Sequence, residues 1–293
     1  MVFTHSAFLY ESDADYATTL VPFIREALEG DNAVAVAAPP DRIRVLREAL
    51  DGDARTIRFL PADEWYVRPV RTIAGWAHLL KAAAASRRSG AHLVGHIPFQ
   101  GEPTPWVRFE AALNRSLSSL SGHLLCPYDR RSLPSPLILA ASRTHPRLHD
   151  GAWRDSDGYE QPEHVLTELP EPPWPVSGRP ALSTTITDSV AELRAEVRDR
   201  ARAESWLPPD RVETLVLALS ELATNGIRHG GEHRELRLWV TSDAVIGEVT
   251  DDGAQAPAPL AGYLPPAPGV SGGMGLWLVQ QRATRWPSSR ATA

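Results

Sequence analysis

Five short apolar runs punctuate the first 130 residues: "HSAFLY" (5–10), "AVAVAA" (33–38), "TIRFL" (56–60), "AHLVGHI" (91–97) and "HLLCPY" (123–128). Between the earliest of them the apolar residues change to a spacing of three and four. Tyr16, Leu20, Phe23, Ile24, Ala27 and Leu28 lead up to Gly30, and Ile43, Leu46 and Leu50 follow the pair Pro39 and Pro40. Runs this short read as strands, and the longer period reads as helix. Further helical stretches fall near 70–85, 105–120 and 134–142. Strands separated by whole helices cannot be joined as hairpins, so they run parallel with crossover helices covering both faces. The first half is therefore expected to be α/β, a doubly wound and mostly parallel sheet.

Past about residue 150 the alternation stops. The stretch "EQPEHVLTELPEPPWPVSGRP" (160–180) is dense in proline and turn formers, and residues 156–180 read as a semi-extended linker. From Ala181 the texture changes: a strand over 181–187, helices over 188–204 and 209–228, the strands "RELRLWVTS" and "AVIGEVTD", a Pro/Gly/Ala segment, and a last helix from about Gly273. Elements that do not alternate strictly indicate an α+β layer arrangement. With 293 residues there is room for two domains, expected at 1–155 and 181–293.

Charge and cysteine content remove whole classes of function. Thirty basic against 36 acidic residues leave a net charge of -6, which gives no general attraction to nucleic acid or to an anionic membrane. The N-terminus lacks the regions of a signal peptide, and no apolar run approaches a membrane span, so a cytoplasmic location is expected. The single Cys126 has no disulfide partner and lies in an apolar run; it reads as a buried thiol, and metal binding through cysteine is excluded on this count.

Chemistry concentrates in three later stretches. "ALSELATNGIRHGG" (218–231) sets Glu221, Asn225 and His229 at four-residue intervals, in one stripe of a helix beside the core-facing Val212, Leu215, Leu219, Leu222 and Gly226. A carboxylate there can orient or deprotonate a nucleophile, and an amide oxygen is a hard ligand suited to magnesium. Alone, such a stripe reads equally as a solvated polar face. "VTDDGAQ" (249–255) ends a strand on Asp251 with Gly253 two residues on, a carboxylate able to accept from a base amino group beside a backbone that can approach closely; it also reads as an ordinary Asp-Gly turn. "GVSGGMGLWLVQQ" (269–281) places glycines 269, 272, 273 and 275 at the head of a helix, where exposed N–H groups attract an anion.

Taken in that order, the three stretches resemble the ATP-binding domain of the GHKL superfamily, which includes histidine kinases, gyrase and Hsp90, over residues 181 to about 286. "SELATNGIRHG" is more similar to the N box of the anti-sigma-factor serine/threonine kinases than to that of the histidine kinases. The resemblance implies a two-layer ATP-binding sandwich with Glu221 as general base and Asn225 on magnesium. It implies Asp251 and Gly253 at the adenine. Gly273 and Gly275, with the N–H groups around Met274 and Leu276, hold the phosphates. The segment 254–272 is implied as a mobile ATP lid, and Arg228 and His229 lie toward the phosphate side without an assigned role. Gln255 stands where the family shows a further glycine, so an altered adenine pocket is expected; "RWPSSRATA" follows the last helix, so the sheet is expected without its final strands.

Residues 5 to about 150 resemble the MEDS sensory domain, a degenerate relative of RecA-like ATPases, on "HSAFLY", "VPFIREAL", "GEPTPWVRFEAALN" and "LLCPYD". "ESDADYATT" replaces a phosphate-binding loop after the first strand, and its acids argue against ATP hydrolysis there. His5, Glu102, Trp106 and Glu110 are candidates to line a ligand pocket at the carboxyl ends of the strands, though each has an ordinary capping, surface or packing role open to it. The reading implied for the whole chain is an anti-sigma regulatory protein using ATP and Mg to phosphorylate Ser/Thr of an antagonist, with input from its first domain. Its expected partners are a sigma factor, that antagonist and a second copy of the chain. Two alternatives stand beside it: a nucleotide-binding module without transfer, and a sensor histidine kinase, for which only "PEHVLTELP" with His164 offers an acceptor.

Overall fold

The computed structural model describes residues 2–170, 176–242, 244–254, 257–264 and 274–282. It divides the chain into two units, Met1–Leu169 and Pro170–Ala293, each with its own core.

The first unit runs β1 (Thr4–Tyr10), α1 (Asp13–Glu29), β2 (Ala33–Ala38), α2 (Pro40–Leu50), β3 (Arg58–Pro61), α3 (Ala62–Trp65), α4 (Pro69–Ala85), β4 (Ala91–Gly95), α5 (Thr104–Ser116), β5 (His123–Asp129), α6 (Ser135–Thr144), β6 (Arg147–His149), β7 (Trp153–Asp155) and α7 (Pro162–Glu168). Proline places many of the helix starts: α2, α4, α5, α6 and α7 carry one in their first two positions, where the missing N–H is no loss and the fixed φ suits the turn. The sheet order is β3-β2-β4-β5-β1-β6-β7, with only β7 antiparallel to its neighbour. This is the expected α/β sheet. On one face, Phe8 and Tyr10 of β1, Val34 and Val36 of β2, Val94 and Leu125 pack against Tyr16, Leu20 and Ile24 of α1 and Leu46 and Leu50 of α2.

The end of the first unit reaches into the expected linker, 156–180, at α7. The antiparallel β7 extends the sheet, and α7 packs on α5: Val165 and Leu166 are buried, and Arg108 donates from Nη1 to the Leu166 carbonyl at 2.7 Å. A proline at the head of α7 starts the helix instead of breaking it. Its apolar residues then make 162–168 part of the first unit. Within the expected linker, residues 171–175 lie outside the described residues.

Just past β4, His96 is buried with its ring centroid 5.8 Å from that of Tyr16 and 6.1 Å from that of Tyr10. Burial, with Arg42 acting in the same direction, pushes its pKa down to about 4, while Asp41 and Asp129 oppose the shift. The unfolded chain therefore takes up this proton first, near the ordinary histidine pKa of about 6.5. His96's contribution to stability is complete above that pH and is lost as pH falls from there toward 4. The loss is on the order of 3 kcal/mol over the full window. Urea unfolding at pH 7 and pH 4.5 is expected to show a slope of this sign, to which His5, His92 and His123, also shifted down by burial, add, and His96→Gln to reduce it; an unchanged slope in the variant would assign the whole effect elsewhere.

The second unit runs β8 (Leu182–Thr185), α8 (Val190–Ala203), α9 (Pro209–His229), β9 (Arg234–Val240), β10 (Val245–Asp251) and α10 (Met274–Arg282). Among the described residues its sheet has three antiparallel strands in the order β10-β9-β8. Leu236 and Leu238 of β9 turn one way and pack with Leu193 and Val197 of α8, Val216, Leu219 and Leu222 of α9, and Val279 of α10. The alternation of β9 and the helical stripes thus produce two layers, helices over one sheet face. Ser189 caps α8 by accepting from the N–H of Glu192 at 3.3 Å, and Pro209 opens α9. The sheet is expected without its final strands, and the residues after 282 that bear on this lie outside the described residues.

Candidate functional site

The long helix α9 is the spine of the site. Glu221 and Asn225 are half-buried beside its apolar stripe, one turn apart, while Arg228 and His229 are exposed at its carboxyl end. Cations belong at that end of a helix dipole, so the last turn supports the polar-face reading of His229.

Glycines bring the other two stretches against this helix. A Cβ on Gly275, in the first turn of α10, would lie 2.5 Å from Glu221 Oε2 and 3.2 Å from Glu221 Cβ. The bare Cα of Gly275 is thus seated on the Glu221 side chain, in space that any other residue would fill. Leu276 and Val279 hold α10 there by packing into the α9 core. The stretch around Gly275 and the helix stripe, 54 positions apart in the chain (275 minus 221), therefore meet at the carboxylate. Of the other phosphate-side residues, Met274 begins α10, and Gly273 lies outside the described residues.

At the far end of α9 the chain closes on β10. A Cβ on Gly253 would lie 2.8 Å from the Gly230 Cα, and one on Gly230 would lie 2.7 Å from the Asp251 Cγ. The close approach that Gly253 permits is thus to the backbone of the α9 cap. Asp251 is exposed, and its Oδ1 accepts the Gly253 N–H at 2.9 Å, an Asx turn that leaves Oδ2 without a partner among the described residues. Its neighbour differs: Asp252 accepts the His233 N–H at 3.0 Å through Oδ1, and its Oδ2 lies 2.9 Å from His233 Nδ1. That histidine holds the Asp252 carboxyl below the usual range, so the paired acids divide the work, one locking the loop and the other presenting an oxygen. Gly230 and Gly231 also belong to this junction, and two glycines directly after a helix are their signal in the sequence; a Cβ on Gly231 would collide with Asp252 Oδ1.

Part of the segment expected as a mobile lid, residues 257–264, is described. Tyr263 is buried, and a Cβ on Gly262, whose φ is +86°, would lie 2.7 Å from Gln280 Nε2. A buried aromatic ring and a glycine turn place the residues around 262 beside α10. Residues 255–256, with the departure at Gln255, and 265–272 lie outside the described residues.

Gly226, one position past Asn225, is buried within α9, and a Cβ there would meet Arg234 Cδ at 3.8 Å and Val249 Cγ1 at 3.9 Å. That is ordinary contact. Gly226→Ala is therefore expected to stabilise the second unit by roughly 0.5–1 kcal/mol through helix propensity alone, read as a rise in thermal midpoint. A fall would show that the site needs bare backbone at this point.

In the first unit the four pocket candidates separate. Glu102 is exposed and accepts at Oε1 from the Thr104 N–H (3.0 Å) and hydroxyl (2.6 Å), capping α5. Trp106 stands edge-on to Tyr66 and Phe109 as packing. His5 and Glu110 do meet, 3.0 Å apart, but His5 is the second residue of β1 and both are buried beneath the sheet, away from the carboxyl ends of the strands. The acids of "ESDADYATT" are engaged: Asp13 pairs with Arg42 at 2.6 Å and Arg131 at 3.3 Å, and Ser12 caps α1. His164, on α7, has both ring nitrogens beside carboxylates, Glu160 at 2.7 Å and Glu168 at 3.1 Å.

Comparison with known families gives two matches. Residues 4–146 match the MEDS family, described as the methanogen/methylotroph, DcmR sensory domain, and residues 183–290 match the histidine kinase-like ATPase domain. No curated protein and no solved structure gives a significant match. Among the described residues no helix is long and apolar enough to cross a membrane.

Proposed function

From a chain that carries a MEDS sensory domain ahead of a histidine-kinase-like ATPase domain, a regulatory architecture of kinase type, we propose that the second domain binds MgATP and phosphorylates a Ser/Thr hydroxyl of an antagonist protein. In the same reading it sequesters a sigma factor, and the first domain sets when it does so. The observation that supports this best is the seating of Gly275 on Glu221, which sets a carboxylate beside the amino end of α10. A transfer site needs those two things adjacent, a proton acceptor and N–H donors for phosphate oxygens.

MgATP supplies the phosphoryl group and neutralises its charge; the chain supplies position. Asp251 Oδ2 accepts from the adenine amino group while Oδ1 stays on Gly253. Asn225 would offer its amide oxygen to magnesium, and the N–H groups at the amino end of α10, around Met274, Gly275 and Leu276, would take the phosphates, together with Gly273, which lies outside the described residues. Glu221 takes the proton from the attacking hydroxyl as the new O–P bond forms and the bond to ADP breaks.

The test is incubation of the full chain with magnesium, γ-labelled ATP and a candidate antagonist. Label on a serine or threonine of that protein supports the proposal. ATP bound with no label moved points to a non-catalytic module, and acid-labile label on His164 points to a histidine kinase.

A further inference from the structure

Four side chains from separate parts of the first unit converge in its core: His5 of β1, Glu110 of α5, Cys126 of β5 and His145 directly after α6. Each is at most 2% exposed. One potential ligand atom from each, a ring nitrogen, a carboxylate oxygen, the sulfur and a second ring nitrogen, lies within 4.8 Å of the others. Glu110 Oε2 is 3.0 Å from His5 Nε2, 3.3 Å from His145 Nε2 and 3.6 Å from Cys126 Sγ, and that sulfur is 3.4 Å from His5 Nε2. A tetrahedral zinc ion with bonds of about 2.0–2.3 Å separates its ligand atoms by about 3.3–3.7 Å. Four of the six pairs of donors stand at 3.0–3.6 Å, near those separations, and the other two lie within 4.8 Å.

Hydrogen bonding fixes which atoms face inward. Asn114 donates from Nδ2 to the Thr144 carbonyl at 2.7 Å and to that of Ala111 at 3.3 Å, which turns its Oδ1 to His5 Nδ1 at 3.1 Å. An amide oxygen only accepts, so His5 carries its proton on Nδ1. His145 Nδ1 lies 2.9 Å from the Ala141 carbonyl and is protonated for the same reason. With Nδ1 engaged on the outer side, each ring turns its Nε2 to Glu110 Oε2, at 3.0 Å for His5 and 3.3 Å for His145. His145 Nε2 and Glu110 Oε1 have no hydrogen-bond partner although they are buried. Inward-facing Nε2 atoms, each ring held by an acceptor on its other nitrogen, are the arrangement of metal-binding histidines with their outer partners.

We propose that His5, Glu110, Cys126 and His145 form a closed four-ligand zinc site in the core of the MEDS domain. On binding, the Cys126 thiol releases its proton to solvent as the sulfur–zinc bond forms. One thiolate and one carboxylate balance the two charges of the ion, and the imidazoles are neutral, so the loaded site places no net charge in the core. The mixed sulfur, nitrogen and oxygen set suits zinc over magnesium or calcium, and four protein ligands leave no position open, the pattern of a structural site. The ion would tie β1 and β5 to α5 and to the exit of α6, and it reverses the sequence expectation about Cys126. Counting cysteines missed it because the other ligands come from positions 5, 110 and 145, and His145, in "SRTHPRLH", carried no pattern of its own.

The test uses the full chain. Protein made in zinc-supplemented medium is expected to carry about one zinc per chain by elemental analysis. After stripping and reloading with cobalt it is expected to show a thiolate-to-cobalt charge-transfer band. Cys126→Ser should lose that band, His145→Ala should fall well below one equivalent, and Asn114→Ala, which frees the His5 ring, should bind zinc about 10–100-fold more weakly. If the variants do not fold, the wild-type chain decides alone: stripping should lower its thermal midpoint and zinc should restore it. Wild-type protein without stoichiometric zinc after supplementation, or a cobalt form without the thiolate band, would overturn the proposal and leave the cluster as a proton-sharing network.

Discussion

Glu221→Ala is expected to lower phosphoryl transfer by roughly 10²–10⁴-fold, the range for removing a positioned general base, while MgATP affinity changes less than tenfold. The separation follows from where the residues sit. Asp251 is held by the Gly230 and Gly253 contacts at the other end of α9, and nothing in that packing depends on the Glu221 side chain. Asn225 lies one turn further along the same helix, whose core contacts are made by Val216, Leu219 and Leu222. Alanine is the better helix former and Glu221 is only half-buried, so stability should move by less than about 1 kcal/mol. Transfer rate and nucleotide affinity are measured on the same preparation. Undiminished transfer would remove Glu221 from the chemistry, and loss of both quantities together would mark a structural role.

The parts of this molecule that were legible in the sequence are those where one local rule decides. Apolar runs between helical periods gave the parallel sheet, and alternation in "RELRLWV" with the stripe through Val212, Leu219 and Leu222 gave the two-layer second unit. What escaped depends on contacts between distant residues. The seven residues of α7 were hidden by surrounding prolines, since Val165 and Leu166 become a helix face only when α5 is there to cover them. The three-residue strands β6 and β7 are too short to show a period. At the site, the motif glycines were read as room for ligand, whereas Gly253 and Gly230 make room for each other's backbone. Nothing local distinguishes those two uses of a glycine. His5 and Glu110 are both candidates for one ligand pocket in the sequence, but their meeting with Cys126 and His145 requires the β1–β5 register, which places Ala7 opposite Cys126 and so brings the sulfur beside the residue that turns to the same face as Ala7.

Gly275→Ala is expected to cost about 10²-fold in transfer with little change in stability, an effect of position alone. The added methyl would meet Glu221 Oε2 at 2.5 Å, the far end of a flexible side chain, and Glu221 Cβ at 3.2 Å. The carboxylate can swing aside, and Leu276 and Val279 keep α10 in its core contacts. The proton acceptor is then displaced by about an ångström, which is enough for a loss of that size. Gly253→Ala provides the contrast, because its methyl would meet the Gly230 Cα and carbonyl carbon at 2.8 and 3.0 Å, and backbone cannot swing aside. That variant should lose roughly 1–3 kcal/mol of stability, as overpacking does. A double-mutant cycle separates mechanism from damage: if Gly275→Ala acts through the carboxylate, adding it to Glu221→Ala should cost nothing further. A full second loss in the double variant would mean that Gly275 serves the phosphates directly, through the N–H groups of the α10 amino end.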